Sequence, residues 1–459
     1  MDEMMVGIDA DVKLAVETLK AKKRVYDKLW AYYDGDQPLV YSTERLKDAF
    51  NGLNARFSLN WCAVIVDSVM ERLELKQFAL LGEGTAEALN AWWVESEMDL
   101  DSDDVELCAL VTGEAFVLSW PNDEGGFESY YNDSRMVAVF YEPDRPREMR
   151  MGAKWWVSDE LIRLTLYYPD RLGYWAAEKP KNGGEISAKS FKRFVPEGHE
   201  AVEGLAEHEA VNPMERVPIF HFRRERRAIK SELGPSILNT QDGVNKLLAD
   251  MMIASEYGAF KQRYVISGTE VDVLKNAPNE VWDLPAGDGV IQDTTVGQFS
   301  ETNLQNFMGP LDKLSTSMAK MSRTPQYYFF LGARSDPSGE TLYAMDGPLV
   351  KKCESYIKRF KREWLRFGRM VAAQLGLEID PMQLVVEYAD PRQSQPYTQA
   401  QTRVQNKTAG IPLKTQLKRE GWSEGEIVML EADVAAEREA AEQSLANGML
   451  RAQRGFDAS

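Results

Sequence analysis

The sequence predicts an α+β fold, mainly helical with small β regions, on three observations. Long stretches keep apolar residues at helical spacing, chiefly Asp9 to Tyr33, Ser236 to Arg263 and Leu304 to Met321. Between Glu114 and Trp175 the texture changes to short aromatic and β-branched runs split by Gly, Pro, Asn and Asp, the pattern of a small antiparallel sheet region. The 459 residues are 44% apolar and 27% charged, which is ordinary globular usage with material for roughly three domains.

In the opening helix, Val12, Val16, Leu19, Tyr26, Leu29, Trp30 and Tyr33 make the apolar face, and Asp34-Gly35 stops it. A second helix is expected from Ser58, carrying Trp61, Ile65, Val69 and Leu73, and a third around Thr85 to Trp93. The acidic run Glu97, Asp99, Asp101, Asp103, Asp104 and Glu106 reads as a solvated first turn, where a helix dipole favours negative charge. The strands follow as AFVLSW, MVAVFY, AKWWV, LIRLTLYY and LGYW; Glu178 to Asn212 is polar loop and edge hairpin, and VPIFHF closes this half.

Leu233-Gly234-Pro235 then punctuates the chain, and Ser236 is the expected cap of a helix to Arg263. Its 28 positions reach about 42 Å, with a narrow apolar stripe of Ile237, Val244, Leu248, Met251 and Met252 suited to packing in an assembly. Tyr264 to Phe299 reads as a compact insertion of short strands and tight turns. Leu304 to Met321 returns as a helix that Gly309-Pro310 kinks or starts. Next comes the aromatic loop QYYFFLGARSDP, then a helical stretch from Ser338 to about Leu375 that Gly347-Pro348 should bend. Lys351 to Arg369 holds eight basic and two acidic residues. Tyr397 to Glu442 reads as two or three polar helices, and Glu424 to Glu442 carries seven acidic residues against one Arg.

Charge narrows the function. The net of −18 argues against a broadly sticky DNA-binding surface, because phosphate binding is driven by basic footprints that release counterions. A conduit for a sliding polyanion, by contrast, benefits from walls that do not bind it. The sequence has no Gly-Lys dipeptide, so the phosphate loop of ATPases is excluded. His199, His208 and His221 pair with no cysteine at zinc-ligand spacing, and no G-x-S-x-G elbow occurs. No enzyme activity, metal or cofactor is expected. Cys62, Cys108 and Cys353 are odd in number and far apart, as in a reducing compartment. No apolar run reaches the roughly 18 residues of a membrane span and the first residues lack a signal-peptide order, so a soluble, unexported protein is expected.

Several motifs, taken in order, resemble the portal proteins of tailed bacteriophages, the head-to-tail connectors of long-tailed phages in particular. They are YYDGDQP at Tyr32 to Pro38, GEAFV at Gly113 to Val117, VPIFHF, and GPSILNTQDGVNKLLADM at Gly234 to Met251. SRTP at Ser322 to Pro325 and SGETL at Ser338 to Leu342 followed by PLVKK are the most specific, and the segment Glu387 to Pro412 closes the series. The resemblance implies a portal-protein fold with long stem helices in a ring-forming subunit. It implies a wing over residues 1–232, a stem helix over 233–263, a clip over 264–300 and a return stem helix over 301–323. A tunnel loop with the bent wing helix then covers 324–396, and crown helices cover 397–459.

The function implied is a homo-oligomeric ring, usually of twelve copies, in the virion at the capsid vertex and assembled in the host cytoplasm. Double-stranded DNA passes through it during packaging and ejection without sequence readout. Its partners would be terminase, major capsid and scaffold proteins, and then the head-tail adaptor, with no membrane. The alternative is a capsid or tail structural protein without a DNA channel. The tunnel loop would be Leu331, Gly332, Ala333, Arg334, Ser335, Asp336 and Pro337, with Arg334 the residue placed to touch phosphate. Gln241, Asp242, Asn245 and Lys246 read either as the polar face of the stem helix or as an intersubunit network. Lys351 to Arg369 reads either as salt-bridge partners or as a surface facing DNA.

Overall fold

The computed structural model describes residues 2–38, 59–81, 84–122, 126–180, 184, 186–199, 202–259, 263–266, 295–298, 303–329, 339–392, 396–419, 422 and 427–438. The chain forms two compact units: Met1–Asp27, Asp67–Ser231 and Gly339–Ser459 make the first, and Lys28–Val66 with Glu232–Ser338 the second.

The first unit begins with most of helix α1 (Asp2–Asp34). Val12, Ala15, Val16 and Leu19 lie one turn apart on α1 and pack on Ala138, Met151, Ala153, Trp155, Leu164, Leu166 and Trp175 of the largest sheet. Burial of Val12, Val16 and Leu19 stabilises by about 1.5–3 kcal/mol each through area removed from water. That sheet contains β5 (Val137–Tyr141), β6 (Met149–Ser158), β7 (Leu161–Tyr167), β8 (Arg171–Glu178), β9 (Lys192–Arg193) and β10 (Glu209–Val211). Its order is β10-β8-β7-β6-β5, all pairs antiparallel, with β9 also on β8.

A second sheet, of order β11-β3-β4, joins β3 (Glu114–Pro121), β4 (Phe127–Asn132) and β11 (Ile219–Arg223). The VPIFHF strand therefore pairs with the GEAFV strand, His221 opposite Phe116, and not with the larger sheet. A third sheet, β14-β1-β2, uses β1 (Leu75–Leu80), β2 (Gly84–Thr85) and β14 (Leu384–Tyr388).

The end of helix α2 (Trp61–Met70), whose residues 61–66 belong to the second unit, joins α3 (Glu87–Glu95), α4 (Met98–Thr112) and the long α7 (Gly339–Gln374) in completing this unit. In chain order α5 (Pro235–Ala259) and α6 (Gln305–Ser322) precede α7, and α8 (Pro396–Thr408) and α9 (Leu413–Arg419) follow it. On α7, Leu349, Cys353, Tyr356, Phe360, Trp364, Phe367 and Val371 keep a strict three-or-four spacing and are all buried. Trp364 meets Phe222 at 4.3 Å and Trp93 at 5.1 Å between ring centroids, edge-on to the latter. Such aromatic pairs add about 0.5–1.5 kcal/mol beyond area burial. Pro348 lies inside α7 and Pro310 inside α6.

Three expectations at helix starts are corrected. The second helix starts at Trp61, because Asn60 Oδ1 accepts the Ala63 N–H at 3.1 Å and caps it there. Helix α5 starts at Pro235, with the Gly234 carbonyl accepting from Ile237 and Leu238, so Ser236 lies within the first turn and is not the cap. The acidic run is not solvated throughout: Asp99, Asp103 and Asp104 are exposed, but Glu106 is 2% exposed because it falls on the face of α4 that also buries Ser102, Val105 and Ala109.

The second unit holds α5, 25 residues long, packed on α6. Strands β12 (Arg263–Ile266) and β13 (Thr295–Gln298) pair antiparallel at the two ends of the expected insertion. The rest of the insertion, and Leu331 to Pro337, lie outside the described residues. Beyond α8 and α9, residues 427–438 are also helical.

Candidate functional site

The motif-bearing residues of the second unit meet around the first turns of α5. Gln241 is fully buried; its Oε1 accepts the Trp61 N–H at 3.0 Å and its amide donates to the Leu59 carbonyl and to Asn245 Oδ1 at 3.1 Å. Asp242 accepts the Tyr32 hydroxyl at 2.8 Å, and Lys28 lies 5.7 Å from the centre of that ring. Lys246 pairs with Asp250 one turn on. Gln241 and Asn245 are thus buried and bonded to each other, whereas Asp242 and Lys246 stay half-buried.

Beyond Asn245 the side chains of Leu247, Leu248, Met251, Met252 and Ile253 are only half-buried, unlike Ile237, Leu238 and Val244 before it. The YYDGDQP motif ends α1: Gly35 takes φ +81°, and the Asp36 N–H reaches back to the Ala31 carbonyl at 2.8 Å. The SRTP motif ends α6 in the same manner, with Arg323 left-handed at φ 57°. Ser322 bonds back to the Met318 carbonyl and accepts the Thr324 N–H. Phe329, next along, is 1% exposed and edge-on to Trp61 at 5.6 Å, so it anchors the base of the aromatic loop as core; Tyr327 and Tyr328 stack on each other at 4.8 Å.

In the first unit GEAFV organises a buried charged network that motif reading alone did not find. Glu114 is 0% exposed and accepts from Lys22 Nζ at 2.5 Å, Tyr26 at 2.6 Å and His221 Nε2 at 2.8 Å, while Tyr141 donates to His221 Nδ1 at 2.9 Å. Burial opposes its ionisation, but the His221 hydrogen bond and the Lys22 charge outweigh that and hold its pKa down at about 2. Burial pushes His221 below its ordinary value against the pull of Glu114, leaving a neutral ring that donates to one neighbour and accepts from the other. Gly113 takes φ +100°, and a Cβ there would stand 2.7 Å from the Lys230 backbone. Only glycine satisfies both demands.

Part of the basic run on α7 takes the first of its two expected roles, as salt-bridge partners. Lys351 pairs with Glu354 at 2.6 Å and Arg366 with Glu363 at 2.9 Å. A cleft of about 610 Å³ in the same unit is lined by Tyr141, His221, Arg147, Arg223, Arg226, Lys358, Arg359, Arg362, Glu363 and Arg366 among others. Seven cations thus face one carboxylate. Linear counting found the surplus on α7, but not that Arg147, Arg223 and Arg226 join it from elsewhere in the chain. Among the described residues no cluster of His, Cys, Asp and Glu is arranged to hold a metal, and no helix is long and apolar enough to cross a membrane.

The α+β class, with small sheets beside long helices, is the one expected from the sequence, and comparison with known proteins gives the family. The family model described as phage portal protein, SPP1 Gp6-like, matches residues 16–444, and the chain belongs to that family. The portal protein of Mycobacterium phage D29 is 24% identical over 351 residues, covering 71% of this chain and 67% of its own. That of Mycobacterium phage L5 is 24% identical over 357 residues with the same coverage.

Proposed function

We propose that this chain is the subunit of a ring of twelve copies at the capsid vertex, through which double-stranded DNA is packaged and later ejected. Family membership over residues 16–444 is the observation that carries this reading. The ring catalyses nothing; terminase docks on it during packaging, capsid and scaffold proteins surround it, and head-tail adaptors replace the motor afterwards. It assembles in the host cytoplasm and remains in the virion.

Two physical features support the ring. The half-buried apolar residues of α5 after Asn245 gain by being covered by a neighbouring copy, and a head-to-tail contact of this kind closes into a ring when its rotation permits. Asp242 and Lys246, half-buried on the same helix, are the polar groups assigned to that contact, with Gln241 and Asn245 fixing the helix from inside. The net charge of −18 per copy keeps a translocating polyanion from adhering to the channel walls within a screening length of about 8 Å.

In this scheme residues 1–232 and the bent helix form the wing, 264–300 the clip, 331–337 the tunnel loop and 397–459 the crown. Replacing 264–299 by a short Gly-Ser connector should weaken ring formation and abolish motor docking; packaging in infected cells by the shortened protein would refute the clip. Arg334→Ala should leave the ring intact and impair only DNA packaging or retention. A variant whose ring dissolved while residual particles packaged normally would move Arg334 from the channel to an interface.

A further inference from the structure

The cationic cleft of the first unit is unexplained by the portal reading and lies wholly within one unit, so it stands or falls apart from ring formation. Its floor is built on one stripe of α7: Ser355, Lys358, Arg359, Arg362, Glu363 and Arg366 recur at three-or-four spacing beside the buried aromatic stripe. Arg223 from β11 and Arg226 just past it face that stripe, and Arg147 comes from the turn between β5 and β6.

These charges are not neutralised by the protein. Glu363 pairs with Arg366 and also feels the charge of Arg223, and none of Arg147, Arg226, Lys358 and Arg362 forms an ion pair with a carboxylate among the described residues. Several are instead held in place by neutral groups. Arg359 donates to the Arg224 carbonyl and lies 5.8 Å from the Tyr356 ring, and Arg223 lies 5.4 Å from the ring of Tyr141. Like charges at i and i+4, such as Lys358 with Arg362 and Arg362 with Arg366, repel one another on the helix. Among the described residues, Glu363 is the one acidic side chain that lines this cleft. An anion completes it.

We propose that this cleft is a binding site for clustered phosphates, two or more neighbouring phosphate groups on one ligand. Six of the seven cations are arginines, whose planar forks donate pairs of hydrogen bonds to phosphate oxygens, with Ser355 at the wall as a further hydroxyl. The surplus is too concentrated for a single carboxylate, and phosphates deliver more charge in a given volume than acidic side chains strung on a peptide backbone. The same chemistry is offered by the backbone of a nucleic acid and by a free oligophosphate.

The test uses the purified full-length protein, inorganic tripolyphosphate and a short mixed-sequence DNA duplex, with the double variant R226S/R362S, the single variant R147S and, outside the cleft, R145S as a control. Calorimetry should show tripolyphosphate binding that falls at least about tenfold in the double variant and stays unchanged in R145S. If the duplex is bound too, its dependence on log salt should flatten by nearly two units, close to one for each lost phosphate contact. Cleft-dependent binding of both ligands assigns the site to nucleic-acid backbone; cleft-dependent binding of tripolyphosphate alone assigns it to a free oligophosphate. Circular dichroism verifies that the variants fold, and should the double variant not fold, R147S decides by the same loss of binding. Absence of tripolyphosphate binding, binding indifferent to these substitutions, or equally tight cleft-dependent binding of polyglutamate would overturn the proposal.

Discussion

Glu106 and Glu114 stand eight residues apart in the first unit, one midway along α4 and the other opening β3, and both are buried. Their surroundings differ. Glu114 receives a lysine, a tyrosine and a histidine, whereas Glu106 receives only neutral donors, the Tyr388 hydroxyl and Trp364 Nε1 at 3.3 Å, both on Oε1. Its Oε2 has no partner, and burial raises its pKa to about 7 despite the two donors. Equal burial thus goes with opposite shifts, because partners and not depth decide how readily a carboxylate stays charged. The Glu114 site ties α1, β3, β5 and β11 together; Glu106 bonds to α7 and β14.

The largest expected effect comes from breaking the charged site. Glu114→Ala strands Lys22 and removes the acceptor of three donors, which should cost about 3–5 kcal/mol in denaturant unfolding, as for other broken buried pairs. A loss within about 1 kcal/mol would show that the network adds little. Next, Gly113→Ala should cost about 2–4 kcal/mol, since it meets both a positive φ and the Lys230 backbone. If it is tolerated, the close approach is relaxed in solution.

Titration separates the two carboxylates most cleanly. Glu114, held at about 2, contributes stability that is complete above its ordinary value near 4.5 and is lost as pH falls through about 2. His221, also depressed, adds a loss of the same sign as pH drops below about 6.5. Glu106, raised to about 7, works in the opposite direction, its contribution complete below about 4.5 and lost as pH rises through about 7. Glu106→Gln should therefore raise stability by about 2–3 kcal/mol at pH 8 and change little at pH 4. A gain of equal size at both pH values would contradict the raised pKa of Glu106.

Much of this was legible in the sequence where periodicity or a cap carried it. The apolar stripe of α1 and the Gly35 stop were plain, as were the out-and-back order of α5 and α6 and the strand texture after Glu114. What escaped depends on partners distant in the chain. The run of strands from AFVLSW to LGYW reads as one region, yet it divides into two sheets, because Ile219–Arg223 returns about a hundred residues later to pair with Glu114–Leu118. Leu384–Tyr388 likewise closes on β1 across some three hundred residues. Glu106 was hidden by its acidic neighbours, although its place one residue after Val105 and three before Ala109 puts it on the buried face of α4. His221 looked isolated because Glu114 and Tyr141 reach it only in the fold.

The most direct test of the central claim is native mass spectrometry of the purified chain, joined to electron microscopy of the same sample. A closed ring of about twelve copies around an axial channel is expected, with charge-preserving substitutions on α5 leaving it intact and Met251→Asp with Met252→Asp dispersing it, because those half-buried methionines are proposed to form the contact between copies. A chain that stays monomeric at every salt concentration, or that builds a shell or open filament without a channel, would contradict it.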